Sequence, residues 1–217
     1  MALVFHAHPF SSYCQKALIA LYENDTPFTL KMLGDADSFA ELARLWPLRL
    51  MPVLEDGSEV VREASIIVEH LMLRHPGPVR LIPSYAKEAL KVRFLDRVFD
   101  NYVMGPMQRI VGDFLRGAGE RDPKGVADAK ARLDQSYAWL DGELKGRTWA
   151  AGEEFTLADC AAAPSLFYAD WVHPIAEKFG TLRTYRARLL KRPSFARAVE
   201  EARPFRSFFP PGAPDRD

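Results

Sequence analysis

Two cysteines in 217 residues are too few for a disulfide framework. Cys14 and Cys160 also fall in segments read below as different domains, so two free thiols in a reducing compartment are expected. Charge of one sign is not in excess: Lys+Arg and Asp+Glu both number 29. Nothing in that balance argues for nucleic acid, and no charge run suggests an interaction tail. No stretch approaches the roughly 18 consecutive apolar residues of a membrane helix. The amino end lacks the basic region and apolar stretch of a secretory signal. Internal repeats and low-complexity segments are missing too. These absences lead to the expectation of a soluble cytoplasmic protein that partners neither membrane nor nucleic acid. What is abundant is core material: 48% of residues are hydrophobic, enough for one large domain or two small ones.

The most informative stretch is Ser11-Ser12-Tyr13-Cys14. It follows the apolar run Ala2-Leu3-Val4-Phe5 and opens a helical pattern, Lys16-Ala17-Leu18-Ile19-Ala20-Leu21. A strand, a turn of small polar residues and a helix make a seat for a sulfur anion. The first N–H groups of the helix are unpaired and carry a partial positive charge, and a serine hydroxyl can donate to a thiolate docked there. The spacing is that of Cys-x-x-Cys with serine in the first place.

Residues 1–76 mix strand and helix signals in the order βαβ, α, ββα. Ala2–Phe5 reads as a buried strand and Ser12–Glu23 as a helix. Phe28–Leu33 alternates as a strand, with Pro27 at its start. Asp37–Trp46 reads as a helix with Phe39, Leu42 and Leu45/Trp46 on one side. Pro52–Leu54 and Glu59–Val61 read as strands joined by a turn at Glu55–Ser58, and Ala64–Arg74 as a helix. His75-Pro76-Gly77-Pro78, followed by Pro83, breaks structure repeatedly and places a linker at 77–86. Residues 87–210 read as all-helical: Tyr85–Arg116 with a kink at Gly105-Pro106, Pro123–Lys145, Thr156–Ala169, Ile175–Leu190 and Ser194–Ala202. Residues 211–217 form a tail, ordered where it packs. Thr156-Leu157-Ala158-Asp159 is a capping box that stabilises a helix start by about 1 kcal/mol, not a catalytic pair.

In their order and spacing, four stretches give the chain a resemblance to the cytosolic glutathione transferases. They are Ser11-Ser12-Tyr13-Cys14-Gln15-Lys16 with its helix, Trp46 through Leu54, Asp56-Gly57 followed by Glu63 through Leu71, and Gly152 through Ala163 with Arg192-Pro193-Ser194-Phe195 later. The resemblance implies a thioredoxin-like amino-terminal domain, an all-helical carboxy-terminal domain and a homodimer. It also implies glutathione as co-substrate, a small, largely apolar electrophile as its acceptor and no metal. The serine-site theta- and zeta-like members are the nearest pattern.

Two stretches depart from that pattern. Where the family often carries Asn-Pro-x-Gly-Lys, Trp46, Arg49 and Leu50 occupy the Asn, Gly and Lys places. Ala64 replaces a serine, with Ser65 next to it.

By the same resemblance Ser11 aligns with the residue that keeps glutathione ionised, and Ser12 is the second candidate. A free thiol has a pKa of about 8.5, and lowering it by about two units takes about 2.7 kcal/mol. A hydrogen bond to a charged acceptor contributes about 1.5–3 kcal/mol and a helix end about 0.3–1, so no metal or general base is required. Met51-Pro52 falls where the fold places a cis-proline, whose preceding backbone can pair with a peptide-like ligand. Arg49, Glu63, Ala64 and Ser65 complete the implied tripeptide site, Glu63 taking an ammonium and the following helix start a carboxylate. Tyr13, Phe99, Tyr102, Met104 and Met107 are candidates for the co-substrate pocket. Cys14 is expected to be buried and inert. His6 and His8 find no third ligand at usable spacing, and Asp159 does not supply one.

Three functions stay open. The first is transfer of glutathione to an electrophile, with isomerisation or dehalogenation as variants. The second is thiol–disulfide reduction through Cys14. The third is a non-catalytic, dimer-forming binding or regulatory module.

Overall fold

The computed structural model describes residues 3–217, so Met1 and Ala2, the latter the expected first residue of the opening strand, lie outside the described residues. Leu3–Ala7 form β1, whose Leu3, Phe5 and Ala7 are buried, and Ser12–Glu23 form α1. Phe28–Met32 form β2, Ala36–Leu45 α2, Val53–Asp56 β3, Glu59–Arg62 β4 and Ala64–Arg74 α3. The strands lie in the order β2-β1-β3-β4. β1 runs parallel to β2, across the α1 crossover, and antiparallel to β3, and β3 pairs with β4 as a hairpin. This is the thioredoxin-like architecture expected from the order of elements.

α1 is apolar nearly all round, with Cys14 through Leu21 buried, because it lies between α3 on one side and the central helix of the second half on the other. The opposite face of the sheet carries a smaller core of Leu33, Leu42 and Val53 beneath α2. There Phe39, expected on the inner side of α2, is exposed, since α2 meets that small core through Leu42, with Leu45 and Trp46 packed against it. β2 departs from simple alternation as well. It is an edge strand, and every residue after Phe28 is exposed.

No helix or strand occurs between Arg74 and Ala86. α4 (Ala86–Val98) then runs into a π-helical turn, Phe99–Met104, and α5 (Gly105–Phe114). The expected kink at Gly105-Pro106 is resolved as this π turn. Pro106 has no N–H to give, and the Gly105 N–H bonds the Asp100 carbonyl, five residues back. α6 spans Pro123–Glu143, α7 Leu157–Val172, α8 Gly180–Leu190 and α9 Pro193–Ala202. The helix expected from Ile175 starts only at Gly180. His173, held extended before Pro174, ends α7, and residues 174–179 form a connecting turn.

α7 is buried from Leu157 through Asp170 and forms the axis around which the other helices pack. Its amino end carries the expected capping box. Asp159, fully buried, accepts from the backbone N–H groups of Ala150 and Thr156 (2.8 and 2.9 Å), the Thr156 hydroxyl (3.1 Å) and the Tyr185 hydroxyl (2.6 Å). One carboxylate thus joins the loop before α7 to α7 and α8. Asp159→Ala would leave these donors buried and unanswered, and a loss of about 3 kcal/mol in urea-unfolding stability is expected.

Candidate active site

The β1–α1 loop is fixed by side chains that lie outside it. The Gln15 amide donates to the Pro9 carbonyl (2.9 Å) and to the Tyr168 hydroxyl (3.1 Å), and that hydroxyl donates to the Phe10 carbonyl (3.1 Å). The Phe10 N–H is taken by His8 Nδ1 (3.1 Å), and the Ser11 N–H by the His8 carbonyl (2.9 Å). So held, Ser11 becomes the N-cap of α1. Its Oγ accepts from the Cys14 N–H at 3.5 Å, and Ser11 itself lines the cleft beside this helix end.

Two clefts meet beside this helix end. One, of about 350 Å³, is lined by Tyr13, Trp46, Leu50, Met51, Pro52, Glu63, Ala64, Arg97, Asp100, Asn101 and Gln108. The other, of about 330 Å³, is lined by Phe10, Ser11, Ser12, Met107, Gln108, Val111, Leu115, Tyr168 and the segment Phe208–Pro210, and is the more apolar. Gln108 borders both. A larger cavity, about 730 Å³, lies between Pro78–Ser84 and Trp149–Thr156. It shares no residue with either cleft. Size therefore does not mark the candidate site; Ser11, Met51, Pro52 and Glu63 all line the two smaller clefts.

Met51-Pro52 is a cis peptide, as expected, and both residues line the first cleft. Glu63 stands just before α3 with φ 70° and ψ 122°, a left-handed conformation costing a non-glycine residue about 1–3 kcal/mol, and it makes no side-chain cap. Its carboxylate is thus not spent on its own helix. Arg49 is also left-handed, at φ 56°, but is exposed and does not line the cleft.

Ser65 is the clearest correction among the tripeptide candidates. Its hydroxyl donates to Asp96 (2.9 Å) and accepts from Lys16 Nζ (2.8 Å) and Arg97, so it serves an internal network. In that network the Lys16 ammonium, 1% exposed, also pairs with Asp96 and with Asp100 (2.9 Å). Arg97 pairs with both carboxylates from the cleft side. Burial pushes the Asp100 carboxyl above its usual range against the pull of Lys16.

The co-substrate candidates divide. Met107 lines the apolar cleft and Tyr13 the polar one. Phe99 and Met104 are core residues, fully buried, because helical spacing marks an inward face without saying what lies there. Tyr102 is half exposed on a separate groove with Phe94 and Trp139. Sequence reasoning missed Gln108, Arg97, Asn101 and Phe208–Pro210. Their only local signal was position on or after the long helix.

Burial, with the Asp100 charge adding, pushes the Tyr13 phenol up to about 12, so it stays protonated near neutrality and can donate. Burial likewise pushes the Cys14 thiol up to about 12, against hydrogen bonds from Ser11 and His8. Cys160 is raised well above its ordinary value by burial. Neither cysteine has thiolate character. The two amino-terminal histidines part company, since β1 ends at Ala7. His6 meets Glu55 at 2.6 Å with Glu41 nearby, whereas His8 packs edge-on against Phe205.

Residues 5–79 match the family described as glutathione S-transferase, N-terminal domain, and residues 98–193 that described as glutathione S-transferase, C-terminal domain. The fold, the helix-end clefts and these matches define one class: the chain belongs to the glutathione S-transferase family and is, by that membership, a glutathione transferase. Among its relatives is the probable maleylacetoacetate isomerase of Vibrio cholerae, 28% identical and covering 94% of this chain and 98% of the relative. Another is the FtsZ-localized protein A of Caulobacter vibrioides, 28% identical and covering 88% and 87%. A solved glutathione S-transferase of Methylobacterium radiotolerans, in complex with glutathione sulfonate, superposes with a TM-score of 0.80 at 28% identity, covering 92% of this chain and 95% of that one. Among the described residues no helix is long and apolar enough to cross a membrane.

Two outcomes follow from this geometry. Both cysteines should stay silent to an aromatic disulfide reagent in the native protein and titrate as two thiols per chain after unfolding. Lys16→Met would leave Asp96 and Asp100 facing each other without their buried cation, and about 3 kcal/mol of stability should be lost at pH 7 to 8. That deficit should shrink as pH falls toward the carboxylate range. A folded-state carboxyl already raised by burial takes up a proton there and so removes the unpaired charge. Paired urea titrations across pH would read both effects.

Proposed function

We propose that the first cleft binds glutathione and that Ser11, at the amino end of α1, holds its sulfur as a thiolate for attack on a small, largely apolar electrophile in the second cleft. One observation carries the reading. The amino end of α1 borders both clefts, with Ser11 and Ser12 lining the more apolar one and Tyr13 the other. The backbone of Met51 would pair with the cysteinyl unit, Glu63 with the γ-glutamyl ammonium, and the first N–H groups of α3, at Ala64, with the adjoining carboxylate. Ser12 and the protonated Tyr13 are the other donors in reach of the same region. Residues 1–76 form the glutathione-binding domain in this reading, 77–86 the linker, 87–210 the helical domain and 211–217 the tail.

The isomerase reading uses the same thiolate, and the Vibrio relative's name supports it as a variant. Reduction through Cys14 is disfavoured by its burial and its pKa of about 12. The adaptor reading draws on Leu50 and Ala64, which put apolar groups where the family pattern has a lysine and a hydroxyl. A homodimer in the cytoplasm completes the proposal. It would cover exposed apolar residues of α3 and α4 such as Leu73, Leu90 and Phe94.

Conjugation of glutathione to chlorodinitrobenzene tests the assignment. Ser11→Ala should lower kcat/KM by about 10- to 100-fold, the equivalent of one charge-assisted hydrogen bond, and move the apparent thiol pKa of the pH–rate profile upward. Full activity in that variant with loss in Tyr13→Phe would transfer the role to Tyr13. The absence of any melting shift in millimolar glutathione would favour the adaptor reading.

A further inference from the structure

We propose that Asp56, His70 and His75 form a site for a zinc-type divalent cation, on the thioredoxin-like half and apart from both clefts. Asp56 Oδ2 meets His70 Nε2 at 2.9 Å and His75 Nε2 at 2.7 Å, so three donor atoms of the kinds zinc favours converge on one point. They come from separate elements. Asp56 ends β3 opposite Glu59 across the hairpin turn, His70 is inside α3, and His75 is the residue at which α3 unwinds, at φ −133° and ψ 54°. That unwinding brings a ring five residues beyond His70 round to the same carboxylate.

The second ring nitrogen of His70 has an outer partner at hand: Nδ1 lies 3.9 Å from Glu59 Oε1. With a cation bound, both Nε2 lone pairs point to the metal, and Nδ1–H points toward Glu59. That is the carboxylate–histidine–metal order found around protein zinc. With metal–ligand distances of about 2.0–2.2 Å, tetrahedral ligands sit about 3.3 Å apart, so each contact need open by only about half an ångström. The fourth position stays open to water. A bound ion would staple the β3–β4 hairpin to the end of α3, just before Pro76-Gly77-Pro78.

The test is calorimetric titration of zinc chloride into the full-length, chelator-stripped protein, with cobalt(II) absorption as a report on coordination. The expected result is one ion per chain, micromolar or tighter, a visible four-coordinate cobalt band and a melting temperature that rises with zinc and falls back with chelator. His75→Asn and Asp56→Asn should each weaken binding at least tenfold and abolish the cobalt band. His75 is 29% exposed, so its variant should fold, as circular dichroism will check, and it decides the matter if Asp56→Asn does not. His6→Asn, at the other histidine–carboxylate cluster, should bind like the parent. No binding, or binding untouched by His75→Asn or lost in His6→Asn, overturns the proposal.

Discussion

The Lys16 ammonium governs how the two halves of this protein meet. A lysine 1% exposed has lost nearly all its water, and a desolvated cation persists only where carboxylates and hydroxyls answer it in fixed geometry. Here the answers come from Asp96 on α4, Asp100 on the π turn and Ser65 on α3. One side chain of α1 is therefore bonded to the long helix of the second half and to the helix that opens beside the first cleft. The separation of α1 from α4 follows from that bonding, and the width of the cleft follows from the separation. Arg97 closes the network on the outside, with its Nε and Nη2 committed to Asp96 and Asp100 while its side chain remains about half exposed. The packing that seals the halves together thus also supplies the charged rim of the cleft.

The π turn belongs to the same arrangement. Pro106 removes a ladder donor, and the register shift upstream lets α4 and α5 continue as one rod with an extra residue wound into it. Within that turn Asp100 is directed to Lys16, Asn101 borders the first cleft, and Phe99, Val103 and Met104 go to the core. Two turns further on, Gln108 reaches both clefts. A backbone irregularity forced by one proline distributes neighbouring residues among network, cleft and core.

This explains what could be read before the structure and what could not. The order of strands and helices was legible because period, turn residues and caps are local properties. The cap at Ser11 was legible as a local property, whereas the cis Met51-Pro52 peptide was legible only through the resemblance of that stretch to a known pattern. Lys16 read as an ordinary opening residue of a helix, since nothing local shows that Asp96 and Asp100 wait some eighty residues away. Ser65 read as a free hydroxyl for the same reason. Phe99 and Met104 read as pocket residues because helical spacing separates inward from outward without separating cavity from core, and the π turn then altered the spacing itself. Phe208–Pro210 carried no signal at all, as their role depends on the last segment folding back over Tyr168 and Phe10.

The loop before Pro52 shows conformation and chemistry separating in a single segment. Arg49 holds φ 56°, the region where the family pattern has glycine, although a side chain there costs about 1–2 kcal/mol. The turn has been kept while its residue changed. At the next position Leu50 lines the cleft where the pattern has lysine, so the loop turns an apolar tip to the cleft while its exposed Arg49 stays outside the lining. Any anion held in this cleft must then be met from the opposite wall. That wall offers the amino end of α3, uncapped by the Glu63 side chain, and Arg97, whose Nη1 makes no hydrogen bond among the described residues. The guanidinium on that wall is itself anchored by the carboxylates around Lys16. Two residues of the network that joins the halves, Arg97 and Asp100, are thus also part of the cleft wall.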